Sequence, residues 1–172
     1  MARARPLLTP YRVVELGMLC VAVVAATLPL YSNSSSARLL IPILVGSLGS
    51  MTVSIVVWLR RGGLATAAPA SLLVFGIVAL GLVRRSMSPT DLAPLWRDLT
   101  RGWKLTLDTE PPMAVSGPFI TVPLVISWLG GALSAELSLR QRAVVAPLAG
   151  PAASLFGAAL FGGPAVPWVL AV

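Results

Sequence analysis

The side chains able to do acid–base or nucleophilic chemistry are few, and they stand far apart. Six acidic residues face thirteen basic ones, there is no histidine, and Cys20 is the single cysteine. Without histidine, neither a Ser-His nor a Cys-His pair can be assembled, and the commonest zinc ligand is missing. Cys20 lies in the apolar run VVELGMLCVAVVAATLPL, where a thiol packs as a small hydrophobe. Asp108 and Glu110 stand two apart in LDTEPPMAVSG, a turn-rich segment closed by two prolines, and are expected to be solvated. Glu15 lies three residues after Arg12, near the start of an apolar run, and is expected to form an interfacial pair whose heads reach the headgroups. A proton or substrate site is the sharper reading of Glu15. Glu136 and Arg140 stand four apart in the favourable order for a helical ion pair. No catalytic constellation, cofactor site or metal site is expected from these residues.

The elements that carry them are dictated by composition. The chain is 56% hydrophobic and 11% charged, with a mean hydropathy of +0.87. A soluble domain carries about 25% charged residues, so this chain cannot cover a globular surface with polar groups. The sequence implies one all-α membrane domain over residues 1–172, a polytopic helical bundle. The net charge of +7 is scattered near the ends of apolar runs, as the excess of basic residues in cytoplasmic loops requires, and forms no nucleic-acid-binding stripe.

Five spans are expected, over about 13–30, 39–59, 65–83, 118–137 and 143–163. A signal peptide competes for the first, since basic residues precede it and small ones stand at Ala25 and Ala26. Pro69 is expected to make the third start irregularly or kink. Between the third and fourth spans an interfacial helix is expected over about 91–106. Asp91 can cap it. Leu92, Leu95, Trp96, Leu99 and Trp103 share one face, and Trp96 and Trp103 serve as anchors. Small residues mark helix-packing faces: Gly46, Ser47, Gly49 and Ser50 in the second span, and Gly130 with Ser134 and Gly131 with Ala135 in the fourth. The clearest such face is the ladder Ala146, Gly150, Ser154, Ala158 and Gly162, expected to contact a membrane partner or a second copy. The terminal PAVPWVLAV resembles the opening of a sixth helix. Arg3, Arg5, Arg12, Arg60, Arg61, Arg140 and Arg142 fall on one side of such a topology, which places the N-terminus in the cytoplasm of a bacterial cell and residues 84–117 outside.

The run Leu95-Trp96, Gly102-Trp103, Pro111-Pro112, Val122-Pro123 and WLGGALSAELSLRQR resembles the membrane-embedded N-terminal part of actinobacterial transglutaminase-like (TgpA-type) membrane proteins. The abundance of Ala, Gly, Pro and Arg fits the GC-rich genomes of such bacteria. The resemblance covers roughly residues 90–165 and is topological before them. It implies helices followed by an extracytoplasmic papain-like domain with a Cys-His-Asp triad. With no histidine, and with Cys20 inside a span, no triad residue carries over. The resemblance therefore implies a non-catalytic membrane anchor or scaffold. A small transporter or channel subunit is the alternative, and it would require charge near the membrane midplane.

Overall fold

The computed structural model describes residues 9–32, 39–84, 100–101, 103–104, 118–141 and 145–161. Among the described residues five helices make up the bundle: α1 (Pro10–Thr27), α2 (Leu40–Leu59), α3 (Leu64–Arg84), α4 (Pro118–Arg140) and α5 (Ala149–Phe161). A single helical turn, Pro29–Ser32, follows α1, and a 3-10 turn, Ala146–Leu148, leads into α5. The all-helical membrane architecture expected from composition is the one observed. Four helices, α1 to α4, are long and apolar enough to cross a bilayer, whereas Ala146–Phe161 is shorter. The expected fifth span over 143–163 is thus reduced among the described residues. Pro147 falls in the 3-10 turn and Pro151 in the first turn of α5. The 13 residues of α5 rise only about 20 Å, against a hydrocarbon core of about 30 Å. Of the expected interfacial helix, Thr100, Arg101, Trp103 and Lys104 are described and helical, while Trp96 lies outside the described residues, as does Gly162.

Local chemistry sets the helix ends. Pro10 opens α1 at a position where no amide donor is needed, after Thr9 in extended conformation (φ −68°, ψ 149°), so the helix starts three residues before the expected span. It closes early as well, because Pro29 has no N–H to offer the carbonyl of Ala25. The amide of Leu28 takes that carbonyl at 3.2 Å, and the hydroxyl of Thr27 bonds back to the carbonyl of Val24 at 2.8 Å. At the end of α2 the amide of Gly62 donates to the carbonyl of Val57 and that of Arg61 to Trp58, each at 2.9 Å. This is a Schellman closure, and Arg61 holds its left-handed position with φ 58°. The α3 helix runs unbroken through Pro69.

The bundle is assembled around α4, which touches all four other helices and packs most extensively on α2. Its contacts are glycine against serine, in both directions. A Cβ added to Gly46 of α2 would run into the hydroxyl of Ser127, and one added to Gly131 of α4 into that of Ser50. Across the opposite face, Gly130 meets Ser154 of α5 in the same way, and Gly150 of α5 meets Ser134. Several of these hydroxyls are satisfied within their own helix: Ser127 donates to Leu124 and Ser50 to Ser47, each at 3.1 Å. A serine bonded to its own backbone behaves as a small side chain and lets helix backbones approach. Two apolar clusters fill the bundle. Leu16, Leu19, Val23, Met51, Ala135 and Leu139 form one, with Cys20 half-buried beside them and its thiol 3.8 Å from the hydroxyl of Ser47. Leu30, Val122, Ile126 and Ala158 form the other. Outward positions are apolar as well, including Met18, Leu72 and Phe156, each more than two-thirds exposed. Apolar groups on both the inside and the outside of a bundle belong to a protein solvated by lipid.

Overpacking of a close helix contact typically costs 1–3 kcal/mol. Gly131→Leu and Gly150→Leu should therefore each destabilise the bundle by about 2 kcal/mol or more. Gly17→Leu should change stability by less than about 0.5 kcal/mol, because nothing lies within 4 Å of its added Cβ. Unfolding in mixed micelles titrated with a denaturing detergent measures all three. Equal effects at the three positions would refute the interlock.

Candidate functional site

Arg12, Glu15, Glu136 and Arg140 gather at one end of the bundle, where α1 begins, α2 ends, α3 begins and α4 ends. Arg12 and Glu15, expected to pair with each other, both turn to α4. The guanidinium of Arg12 donates to the carbonyl of Leu139 at 3.4 Å and lies 5.6 Å from the centre of the Trp58 ring, a cation–π distance. Glu15 accepts a hydrogen bond from the hydroxyl of Ser138 at 2.8 Å. Two residues earlier on α4, Glu136 forms the expected ion pair with Arg140 through its Oε2. Arg140 also reaches the α2–α3 turn, where its Nη1 donates to the carbonyl of Gly62 at 3.1 Å. The second oxygen of Glu136, Oε1, is buried and has no hydrogen-bond partner. The carboxylates of Glu15 and Glu136 therefore both stand at this rim, with their α4 partners Ser138 and Arg140 only two residues apart.

Beside the rim opens a cleft of about 600 Å³ between α3 and α4, backed by Ser54 of α2. Ala68, Ser71 and Phe75 line it from α3, and Trp128, Leu133 and Glu136 from α4. Its walls are apolar except for the hydroxyls of Ser54 and Ser71 and the carboxylate of Glu136. Trp128 stands near its inner end, one turn short of Val125. The indole N–H donates to the hydroxyl of Ser71 at 2.9 Å, and the ring meets Phe75 edge-on, with centroids 5.4 Å apart. Space for the ring comes from Gly49 of α2, where an added Cβ would stand 2.9 Å from the indole Cζ3. A tryptophan in the interior of a span, with an N–H that must find a partner, is the sequence signal that could have drawn attention to this cleft.

The small-residue ladder lies elsewhere. Gly150, Ser154 and Ala158 are buried, and Ala146 is half-buried in the 3-10 turn. Gly150 and Ser154 face Gly130 and Ser134 of α4, and the hydroxyl of Ser154 lies 3.5 Å from the carbonyl of Ile126. The part of the face expected to meet a partner is turned inward in this chain. Trp103, read as an interfacial anchor, is half-buried against the opposite end of the bundle. Its ring centre is 5.0 Å from that of Phe161, beside Leu30 and Val122. Among the described residues no three His, Cys, Asp or Glu side chains come together as a metal site would require. No family model, curated protein or solved structure matches the chain.

The Trp128–Ser71 hydrogen bond is the polar link across the cleft. Trp128→Phe and Ser71→Ala should each lower stability by roughly 0.5–1.5 kcal/mol. The double variant should fall short of their sum by about 0.6 kcal/mol, the usual strength of a hydrogen bond between membrane helices. A double-mutant cycle in detergent measures the coupling, and strict additivity would show that the bond carries no net energy.

Proposed function

We propose that this chain is a non-catalytic membrane scaffold, similar in kind to the N-terminal membrane region of transglutaminase-like membrane proteins. Its task is to hold the polar segment between α3 and α4 at one face of the bilayer, where a catalytic or partner domain can engage it. The carrying observation is the docking of Trp103. This residue belongs to the charged stretch between α3 and α4, yet its ring is seated on Phe161 of α5, next to Leu30 and Val122. The neighbouring Arg101 and Lys104 remain exposed. Trp103 thereby anchors the described residues around it, with the cations of Arg101 and Lys104 exposed, as presentation to a partner requires.

The orientation proposed for a bacterial cell membrane follows from charge. Arg12, Arg60, Arg61 and Arg140 belong to the rim end, where cytoplasmic lipids and the positive-inside bias hold arginine. Trp103 belongs to the other end, outside the cell. The transporter alternative needs carboxylates near the midplane, and both Glu15 and Glu136 stand at the rim.

Two measurements test this reading. In a Cys20→Ala background, Lys104→Cys should react with a membrane-impermeant maleimide in intact cells, and Gly63→Cys should react only after lysis. The reverse pattern would overturn the orientation. A photo-crosslinking residue placed at Arg101 or Lys104 should capture a discrete protein in native membranes, and Trp103→Ala should reduce that capture several-fold. Crosslinks to lipid alone would refute the scaffold.

A further inference from the structure

The α2 and α3 helices meet at two adjacent glycines, and the peptide between them is a point about which α3 can turn. The amide of Gly62 belongs to the closure of α2, donating to the carbonyl of Val57 at 2.9 Å. The carbonyl of Gly63 belongs to the opening of α3. It accepts from the amides of Thr66 and Ala67 at 3.1 and 3.0 Å, and from the hydroxyl of Thr66 at 2.8 Å. Each helix therefore ends on its own glycine. The chain passes between them through a single peptide flanked by two residues without a Cβ. Rotation there swings α3 as a body and leaves the hydrogen bonds of both helices intact.

Little else keys α3 into the bundle. Among its described side chains the buried ones are Ala67 and Ala79, and neither is long enough to lodge between neighbouring helices. Two hydrogen bonds restrain it from α4. At the second turn of α3, the indole N–H of Trp128 donates to the hydroxyl of Ser71 at 2.9 Å. At the rim, Nη1 of Arg140 donates at 3.1 Å to the carbonyl of Gly62, which is the carbonyl of the hinge peptide itself. Glu136 steadies that guanidinium through Oε2 and lines the cleft. Its Oε1 is buried with no donor, so the arrangement that holds the hinge carries the cost of an unsatisfied acceptor.

Bulk sets the direction of movement. Towards α4, Trp128 already meets Phe75 edge-on, and Leu129 and Leu133 stand along the same wall. On its outward side α3 borders lipid, since Leu72, Leu73 and Ile77 are exposed. We propose that α3 is a gate helix, hinged at Gly62–Gly63 and held closed by the bonds of Trp128 to Ser71 and of Arg140 to Gly62. When these release, α3 swings outward and the cleft opens down to Ser54, which is 2% exposed in the closed arrangement. The Arg140 bond acts on the hinge and the Trp128 bond on the swinging arm, so the two restrain one motion at different points.

Distances between paired spin labels measure this motion in the full chain, reconstituted in phospholipid nanodiscs in a Cys20→Ala background. One pair stands at Leu72→Cys and Leu129→Cys, exposed positions on the two sides of the cleft. The control pair stands at Met18→Cys on α1 and Phe156→Cys on α5, both exposed and away from α3. Without further change, the cleft pair should give a main short distance. A hydrogen bond between membrane helices shifts an equilibrium by about threefold. Ser71→Ala should therefore raise the ratio of a longer to the short distance by about threefold, and Ser71→Ala with Arg140→Gln by roughly tenfold. The control distance should not change in Ser71→Ala. Should the double variant also broaden the control pair, its whole bundle has loosened and Ser71→Ala alone decides. An unchanged cleft distance in Ser71→Ala would overturn the gate. A shorter one would overturn it too, because α3 would then collapse onto α4. Broadening of the control pair in Ser71→Ala to the same extent as the cleft pair would likewise overturn it, since the motion would not be confined to α3.

Discussion

Glycine against serine, at backbone distance, is the contact on which the bundle depends. Between helices in a bilayer there is no hydrophobic drive, because lipid tails are as apolar as leucine. Association must come from dispersion at close approach and from a few hydrogen bonds. The α4 helix supplies close approach on two faces at once through adjacent glycines. Successive residues on a helix point about 100° apart, so Gly130 faces α5 and Gly131 faces α2. Each has a serine four residues away on its own face, Ser134 after Gly130 and Ser127 before Gly131, and each serine meets a glycine of the neighbouring helix. The short motif Ser127-Trp128-Leu129-Gly130-Gly131 with Ser134 thus encodes both neighbours. The remaining helices need only one small face each: Gly46 to Ser50 on α2, and Gly150 to Ser154 on α5.

The two ends of the bundle are closed by different chemistry. At the rim, charged groups of α1 and α4 bond to hydroxyls and carbonyls of neighbouring helices: Arg12 to Leu139, Ser138 to Glu15 and Arg140 to Gly62. Each of these bonds joins segments distant in sequence, so the rim fixes the relative heights of α1, α3 and α4. At the opposite end the closure is aromatic and aliphatic, with Trp103 and Phe161 over Leu30 and Val122. Both closures suit a headgroup layer, where guanidiniums meet phosphates and aromatic rings sit at the boundary with hydrocarbon.

The helices were legible in the sequence because hydropathy is local: a run such as LLIPILVGSLGSMTVSIVVWL announces α2 within a residue of its observed start. Helix ends were less legible. The α1 helix begins at Pro10 and stops at Thr27 because of two prolines whose effect depends on which turn they occupy. The small faces of α2, α4 and α5 were legible as faces, and their partners were not. A smooth ladder such as Gly150–Ser154–Ala158 carries no mark saying whether α4 of the same chain or another molecule will cover it. The polar contacts were opaque for the same reason. The spacing of Arg12 and Glu15 suggested a local pair, yet each is better satisfied by α4, more than a hundred residues away in the chain. Only Glu136 and Arg140, whose partnership is itself local, could be paired from spacing alone.

The contrast between α2 and α3 explains why the bundle has a cleft at all. Of the most apolar stretch of α2, 39% is buried, and of α3 only 11%. The α3 helix is not short of small residues, with Ala67, Ala68 and Ala70 in its first two turns. What it lacks is a small surface on α4 to meet them. On that side α4 presents Trp128, Leu129 and Leu133, and the indole, seated on Gly49 of α2, stands between α4 and Phe75. Trp128 therefore acts as a spacer: it hydrogen-bonds Ser71, holding α3 at one height, while its bulk keeps the rim half of α3 off α4. The cleft beside it is open at the side, where Leu64, Leu72 and Leu129 are exposed, so in a bilayer its apolar walls meet hydrocarbon, and α3 can stay in the bundle while most of its surface faces lipid.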